Sequence, residues 1–323
     1  MASLSADELI DRRRIRRKLT FWRAATIIIL IISLFVLVRW MLGDRVAATP
    51  HIAQIRIEGT ITEDEKLLDR LEDIRRSKAV RGVIVTVDSP GGTTAGGEAI
   101  YEEIRLIAQE KPVVAQVGTL AASAGYMIAS AADHIVARQS SIVGSIGVLV
   151  QLPNLTGLME KLGIGVEEVK SSPLKAEPSP FNETTDEERA MMRAMIMDSY
   201  DWFVDLVTER RPLSREEVLT LADGSVFTGR QAAQAKLVDA LGGEREAKQW
   251  LVEKGLDENL QVVEWRPRSD DVSLFMPEIA SRWLARVLGY STEEQLIRAL
   301  GAERIFLDGL VSVWQPDASR ALD

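Results

Sequence analysis

The sequence predicts an α/β protein whose mostly parallel sheet is built from strand–turn–helix units, carried behind one N-terminal transmembrane helix. Three observations predict it. Short β-branched runs alternate with amphipathic stretches of helical length, the pattern of parallel βαβ crossovers. A charge-free apolar run, Ala24 to Val38, lies ahead of them. The 323 residues are 46% apolar and 27% charged, enough for one large domain or two small ones and too mixed for a disordered chain.

The apolar run AATIIILIISLFVLV extends through Arg39, Trp40, Met41 and Leu42 to Gly43, 20 residues in all. About 20 residues of helix cross a bilayer core. Arg39 is near enough to the end to snorkel to the interface. Trp22 and Trp40 flank the run as interfacial aromatics do. Arg12, Arg13, Arg14, Arg16, Arg17, Lys18 and Arg23 precede it, while only Arg39 and Arg45 follow, beside Asp44. The positive-inside rule makes residues 1–23 a basic cytoplasmic tail and 24–43 a single-pass anchor in the inner membrane. A linker, 44–51, then leads to a body on the outer, periplasmic side. A cleaved signal peptide is the competing expectation, with Val46-Ala47-Ala48 as its cleavage site. The anchor is preferred because the 23-residue leader is long for a signal n-region.

In the body, residues 52–58 (IAQIRIE) alternate as a strand does, and Thr62 to Ser77 is an amphipathic helix. Gly82 to Val87 (GVIVTV) is a strand buried on both faces. Asp88-Ser89-Pro90-Gly91-Gly92 is expected as a turn, and Ala99 to Gln109 as a helix with Ile100, Ile104 and Ile107 on one side. Val113 to Val117 is a strand, Ala122 to Ala132 a small-residue helix, and Ile135 to Ala137 a short strand. Val148–Val150 and Gly165–Val169 are expected as strands around a helix at Leu155–Leu162. Lys170 to Phe181 is irregular, with three prolines. Thr185 starts a long helix to about Glu209, followed by helices at Leu213–Ala222, Gly229–Lys236 and Glu244–Lys254. Residues 256–323 are an extension of unknown role, with an amphipathic stretch at Glu278–Leu288 and an apolar terminus around Ile305–Trp314.

Charge and composition exclude several chemistries. Residues 1–45 carry a net charge of +5, so the rest of a chain of net −9 carries −14. So acidic a body argues against nucleic acid as a partner. With no cysteine there is no disulfide, thiol nucleophile or cysteine-based metal site, which suits an oxidising compartment. Two histidines, His51 and His134, are too few for a multi-histidine centre. Gly92 to Glu98 lacks the Lys-Ser/Thr end of a Walker A loop, and no GxGxxG occurs. No metal or cofactor is expected.

Ala121-Ala122-Ser123-Ala124-Gly125 loosely resembles a nucleophile elbow, but His134 comes too early for the base of an α/β-hydrolase. His134 is expected as a structural turn residue and His51 as a juxtamembrane one. Ser123 follows a strand and a short Gly118-Thr119-Leu120 turn and opens a helix, where free N–H groups favour developing negative charge. The amide of Ala124 can donate to an oxyanion there. Taken alone, a serine in this position is far more commonly a helix N-cap. Gly91-Gly92 can aim a second N–H outward, or can serve only as a tight turn. Without a suitable histidine, lysine is the candidate base. A free lysine titrates near 10.4, so keeping it neutral at pH 7 costs about 4.6 kcal/mol and calls for uncharged neighbours. Lys175, in Ser171-Ser172-Pro173-Leu174-Lys175-Ala176, has them; Lys170 is the near competitor.

Four motifs in order resemble the signal peptide peptidase A family, peptidase family S49: Asp88-Ser89-Pro90-Gly91-Gly92, Ala121 to Tyr126, Gly144-Ser145-Ile146-Gly147-Val148, and Lys170 to Lys175. Tyr200-Asp201-Trp202-Phe203-Val204, Ala222-Asp223-Gly224 and Thr228-Gly229-Arg230-Gln231-Ala232 extend the resemblance to about residue 250. It makes residues 52–255 the peptidase domain and implies a ClpP/crotonase-like fold of ββα units. It also implies a Ser–Lys dyad. Ser123 matches the nucleophile, Lys175 the general base, and Ser145 the serine that orients the lysine. Gly92 and the amide of Ala124 match the oxyanion region, with Gly91 left open. Ala124 stands where the family often has glycine, which leaves the backbone N–H in place. A single set of motifs resembles the short form, which implies a ring-like homo-oligomer, an octamer, with the lysine supplied by the adjacent subunit. The implied substrates are remnant signal peptides and other membrane-proximal peptides. A crotonase-type acyl-CoA enzyme and a catalytically silent membrane scaffold of the same fold are the alternatives.

Overall fold

The β-branched runs pair into one sheet, and the strands that carry them extend further than their composition predicts. The computed structural model describes residues 22, 23, 25–31, 33, 34, 49–266 and 311–313. The chain divides into two units, Met1–Pro50 and His51–Asp323. In the first, residues 22, 23, 25–31, 33 and 34 are helical, with Ile27 to Ile31 and Leu34 exposed. No helix among the described residues is long and apolar enough to cross a membrane. The remainder of the expected span lies outside the described residues, as does the stretch Glu278–Leu288.

The second unit alternates strand and helix: β1 (His51–Ile61), α1 (Glu65–Arg76), β2 (Val80–Thr93), α2 (Thr94–Glu110), β3 (Val113–Ala122) and α3 (Ala124–Ser130). There follow β4 (His134–Ala137), β5 (Ile142–Gly144), α4 (Thr156–Leu162), α5 (Asp186–Arg210), α6 (Arg215–Leu221), β6 (Val226–Thr228), α7 (Gly229–Gln234), β7 (Ala240–Leu241), α8 (Glu244–Glu253), β8 (Val262–Glu264) and β9 (Val311–Val313). The sheet runs β6-β5-β3-β2-β1-β8, with β4 joining β3 to β7 and β9 on β2. β5–β6 and β2–β9 are antiparallel and the other pairings parallel.

Alternation across the strands gives each face its own core, since successive side chains point to opposite sides. Ile55, Ile57, Val83, Val85, Val87, Ala115 and Val117 meet α1, α2 and α3 through Leu71, Ile74, Ile100, Ile104, Ile107 and Met127. Ile52, Ile84, Val114 and Val136 face the other way, onto Ala247 and Leu251 of α8. Helix starts are fixed locally. Asp64 accepts the N–H groups of Lys66 and Leu67 at α1, and Thr185 forms a capping box with Glu188 at α5.

Several expectations need correction. Asp88 to Gly92 is not a free turn: β2 continues through it to Thr93, because Thr60 and Ile61 of β1 pair with Gly91 and Gly92. Pro90, which has no N–H to give, falls where the β1–β2 register slips. Gly118-Thr119-Leu120 is likewise a bulge inside β3. Strands were expected at 148–150 and 165–169; none forms, and Ile142–Gly144 supplies the strand that composition missed. Segment 165–169 has no neighbour to pair with, and Val169 is 97% exposed. His51 is buried at the start of β1, where it accepts the Trp265 Nε1–H at 3.1 Å. Part of the extension belongs to the sheet, since β8 adds to the edge of β1.

Candidate active site

Small buried residues build the junction between β3 and α3. Ala121, Ala122, Ala124 and Gly125 are all buried, and Ser123 between them is only 1% exposed. Ser123 has φ 57° and ψ −122°, a backbone conformation that residues other than glycine seldom hold. The surroundings enforce it. Its N–H donates to Gly144 O at 2.8 Å, and its carbonyl accepts the Met127 N–H at 2.9 Å in the first turn of α3. A strained residue between a strand end and a helix start marks the junction as the candidate site. Behind it, Tyr126 anchors α3 by donating to Leu237 O at 2.8 Å, and burial pushes its phenol upward.

The bond to Gly144 brings β5 against Ser123, and Ser145 follows immediately in the chain. Ser145 also has positive φ, 51°, and its N–H donates to Ser225 O at 2.7 Å. Ser145 therefore lies on the rigid end of β5, one residue past the nucleophile's backbone partner.

β2 supplies the neighbouring wall. The β2–β3 ladder ends with Ser89 opposite Ala121, and β2 runs on to Thr93. Closeness here requires glycine. A Cβ on Gly125 would lie 2.9 Å from Ser89 O, and one on Gly97 would lie 3.1 Å from the Ala124 Cβ. A Cβ on Gly92 would fall 1.8 Å from Ile61 O. Gly91 has φ 106°, and its N–H donates to Ser89 Oγ at 3.0 Å. That amide is committed, which separates Gly91 from Gly92. Asp88, not singled out by sequence reasoning, accepts the Leu120 N–H at 3.1 Å and holds the β3 bulge that leads to Ser123. Its only sequence signal is its place at the head of the glycine motif.

Beyond Ser89 one edge of β2 is taken by β1 and the other is left by β3. On that second edge β9 lies antiparallel, with Gly91 opposite Val313, Gly92 opposite Ser312 and Thr93 opposite Val311. This edge of β2 thus accepts an extended backbone.

The two candidate lysines differ sharply. Lys170 is paired with Glu168 and Glu177, and these carboxylates, Glu168 foremost, raise its affinity for the proton. A lysine so held is a poor base. Lys175 is exposed, and its amine makes no hydrogen bond or ion pair among the described residues. It follows a short turn in which its own N–H donates to Ser172 O at 3.1 Å. The fold therefore places Ser123, Ala124 and Ser145 around one junction, beside the stretch of β2 that runs from Ser89 through Gly92, and leaves Lys175 on an exposed segment.

The histidines are not bases for Ser123. His134 pairs with Val114 at the opposite end of β3, about 20 Å from Ser123 along the strand. It stacks on Trp250 at 5.0 Å, and burial lowers its pKa. His51 lies opposite Val80, at the far end of β2 from Gly91. No cluster able to hold a metal occurs among the described residues.

Comparison with known proteins agrees with this architecture. The family model for Peptidase family S49 matches residues 105–257, and that for Clp protease matches residues 52–143. A "putative protease" of Methanocaldococcus jannaschii is 39% identical over 61% of this chain and 64% of its own length. A second "putative protease", from Synechocystis sp., is 39% identical over 64% of this chain and 75% of its own. A "putative signal peptide peptidase SppA" of Enterococcus faecium is 33% identical over 75% of this chain and 67% of its own. The fold is the ClpP-like α/β fold. With a strained serine at its strand–helix junction, the chain belongs to peptidase family S49, the serine proteases that include signal peptide peptidase A.

Proposed function

We propose that the chain is a membrane-anchored endopeptidase that uses a Ser–Lys dyad to degrade remnant signal peptides on the outer side of the inner membrane. The observation that carries this reading is the pairing of β9 with Gly91–Thr93 beside Ser123. A peptide substrate entering as an added antiparallel strand gains main-chain hydrogen bonds that ignore its sequence.

In the proposed reaction the neutral amine of Lys175 takes the Ser123 Oγ proton as Oγ bonds to the peptide carbonyl carbon. The Gly92 and Ala124 amides receive the oxyanion, and Ser145 orients the lysine. As the tetrahedral intermediate collapses, the C–N bond breaks and the ammonium gives its proton to the leaving amine. The amine next takes a proton from water as the hydroxyl adds to the acyl carbon. The ester C–O bond breaks and the proton returns to Ser123 Oγ.

Lys175 must lose its solvent exposure for this chemistry, because desolvation is what favours the neutral amine. A neighbouring copy in a ring-like homo-oligomer, an octamer, supplies the cover and the lysine to the adjacent Ser123. The exposed Leu158, Leu162, Ile164 and Val166 before the lysine segment are apolar surface of the kind that subunits cover.

The test uses the full chain in lipid, a synthetic signal peptide and a fluorophosphonate probe. Labelling and cleavage in the parent, both lost in Ser123→Ala, are expected. Mixed Ser123→Ala and Lys175→Ala subunits should regain part of the activity through hybrid sites. Cleavage that persists without the Ser123 hydroxyl would overturn the reading, and absence of rescue on mixing would confine the dyad to one subunit.

A further inference from the structure

Ser89 is fully buried, and its hydroxyl bridges two irregular points of the backbone. It donates to Gly59 O at 2.6 Å and accepts the Gly91 N–H at 3.0 Å. Gly59, with φ 73°, marks the slip in β1 between Glu58 and Thr60, and Gly91, with φ 106°, lies beyond the matching slip in β2. The hydroxyl therefore ties one bulge to the other. The backbone of Ser89 meets the nucleophile turn as well, opposite Ala121 in the ladder and against Gly125.

That location matters because Gly91 and Gly92 share a peptide bond. Two consecutive glycines leave the plane between them freer to rotate than any other pair of residues would. The Ser89 hydroxyl bonds the Gly91 N–H, which belongs to the preceding Pro90–Gly91 peptide, and lies 3.5 Å from Gly91 O, which belongs to the Gly91–Gly92 plane; the close approach of Ile61 confines Gly92. We propose that Ser89 is a positioning residue of the oxyanion site: its hydroxyl holds Gly91 at its N–H and beside its carbonyl oxygen, and so restricts the direction in which the adjoining Gly92 N–H points. The inference rests on the peptidase reading above. Ser89 touches no substrate and takes no proton; it sets the aim of a donor whose value lies in being preorganised.

The test compares the parent with Ser89→Ala and Ser89→Cys as full chains in lipid. The alanine variant removes the anchor, and the cysteine variant keeps the shape with a poorer acceptor. Complete loss of an oxyanion donor costs about 10²–10³ in kcat, so a mis-aimed one should cost about 10- to 100-fold in Ser89→Ala and less in Ser89→Cys. KM should stay within about threefold, because the ground-state carbonyl gains little from the donor. A reversible peptide aldehyde, whose adduct with Ser123 places an oxyanion in the same site, should lose affinity in step with kcat. Hydrogen exchange of the 88–93 segment should quicken in both variants. A kcat within twofold of the parent in Ser89→Ala, or a fall in kcat with unchanged aldehyde affinity, overturns the proposal. Should Ser89→Ala not fold, Ser89→Cys decides by the same two criteria. Failure of the peptidase reading is distinct: it appears as a parent chain with no Ser123-dependent cleavage.

Discussion

The nucleophile's surroundings and the lysine's surroundings are opposites within one chain. Ser123 sits in a buried junction where β2, β3, β5 and α3 converge, its strained backbone held by bonds to Gly144 and Met127. Lys175 sits on an exposed turn between α4 and α5, with no regular structure on either side from 163 to 185. The first region is finished within one chain. On the proposed reading the second supplies the base, and its amine would need a drier environment than this exposed turn gives it.

The largest effect that sharpens this contrast comes from the lysines. Lys175→Ala should abolish turnover, by at least about 10³-fold, as losing the base of a dyad does. Lys170→Ala, five residues away, should leave turnover within about threefold, because that amine is committed to Glu168 and Glu177. Steady-state cleavage of one signal peptide by both variants checks it. The reverse ranking would transfer the role of base to Lys170 and end the argument from its ion pairs. Gly92→Ala should come next, with a loss of about 10²-fold in kcat. Its Cβ would have to displace the Ile61 backbone from 1.8 Å, moving the oxyanion donor with it. Equal activity in Gly92→Ala would show that this segment yields more easily than the nucleophile junction does.

The same contrast governs what could be read from the sequence. Val83, Val85 and Val87 declare a buried strand by their side chains alone, and the strand is there. Ser89 to Gly92 read as a turn because local propensity was the only signal. The pairing with Thr60 and Ile61 that keeps them extended is a long-range fact that no window of sequence contains. Residues 148–150 and 165–169 failed in the opposite direction: strand-forming composition led to a single bridge residue at Leu149 in the first and to no strand among the described residues in the second. Ser123 was legible through its small neighbours and its motif, whereas its positive φ was not. The bond from the Gly91 N–H to Ser89 Oγ had no sequence signal either. Gln54, which donates to Thr86 Oγ1 and Glu244 Oε2 at 3.1 and 3.0 Å, gave no sequence signal at all.

The smallest expected effect concerns the lysine segment itself, whose shape is held by charge where the nucleophile's is held by packing. Lys170 holds the Glu177 carboxyl below its usual value of 4.5, with Asn182 adding a second hydrogen bond at 3.0 Å. A depressed carboxyl contributes stability that is present above 4.5 and is lost as pH falls through its lower folded value. Lys170, raised above 10.5, contributes below that value and loses its contribution only as pH climbs through the raised one. Between these limits the segment keeps its cluster; in acid it should loosen first. Hydrogen exchange followed from pH 7 to pH 3, corrected for the intrinsic rate, should show residues 168–182 losing protection while residues 113–130 keep theirs. Glu177→Gln should show the looser segment already at pH 7, with little further change on acidification. Parallel loss in both regions would mean that the lysine segment is packed as firmly as the nucleophile junction, and the contrast between them would fail at its weaker end.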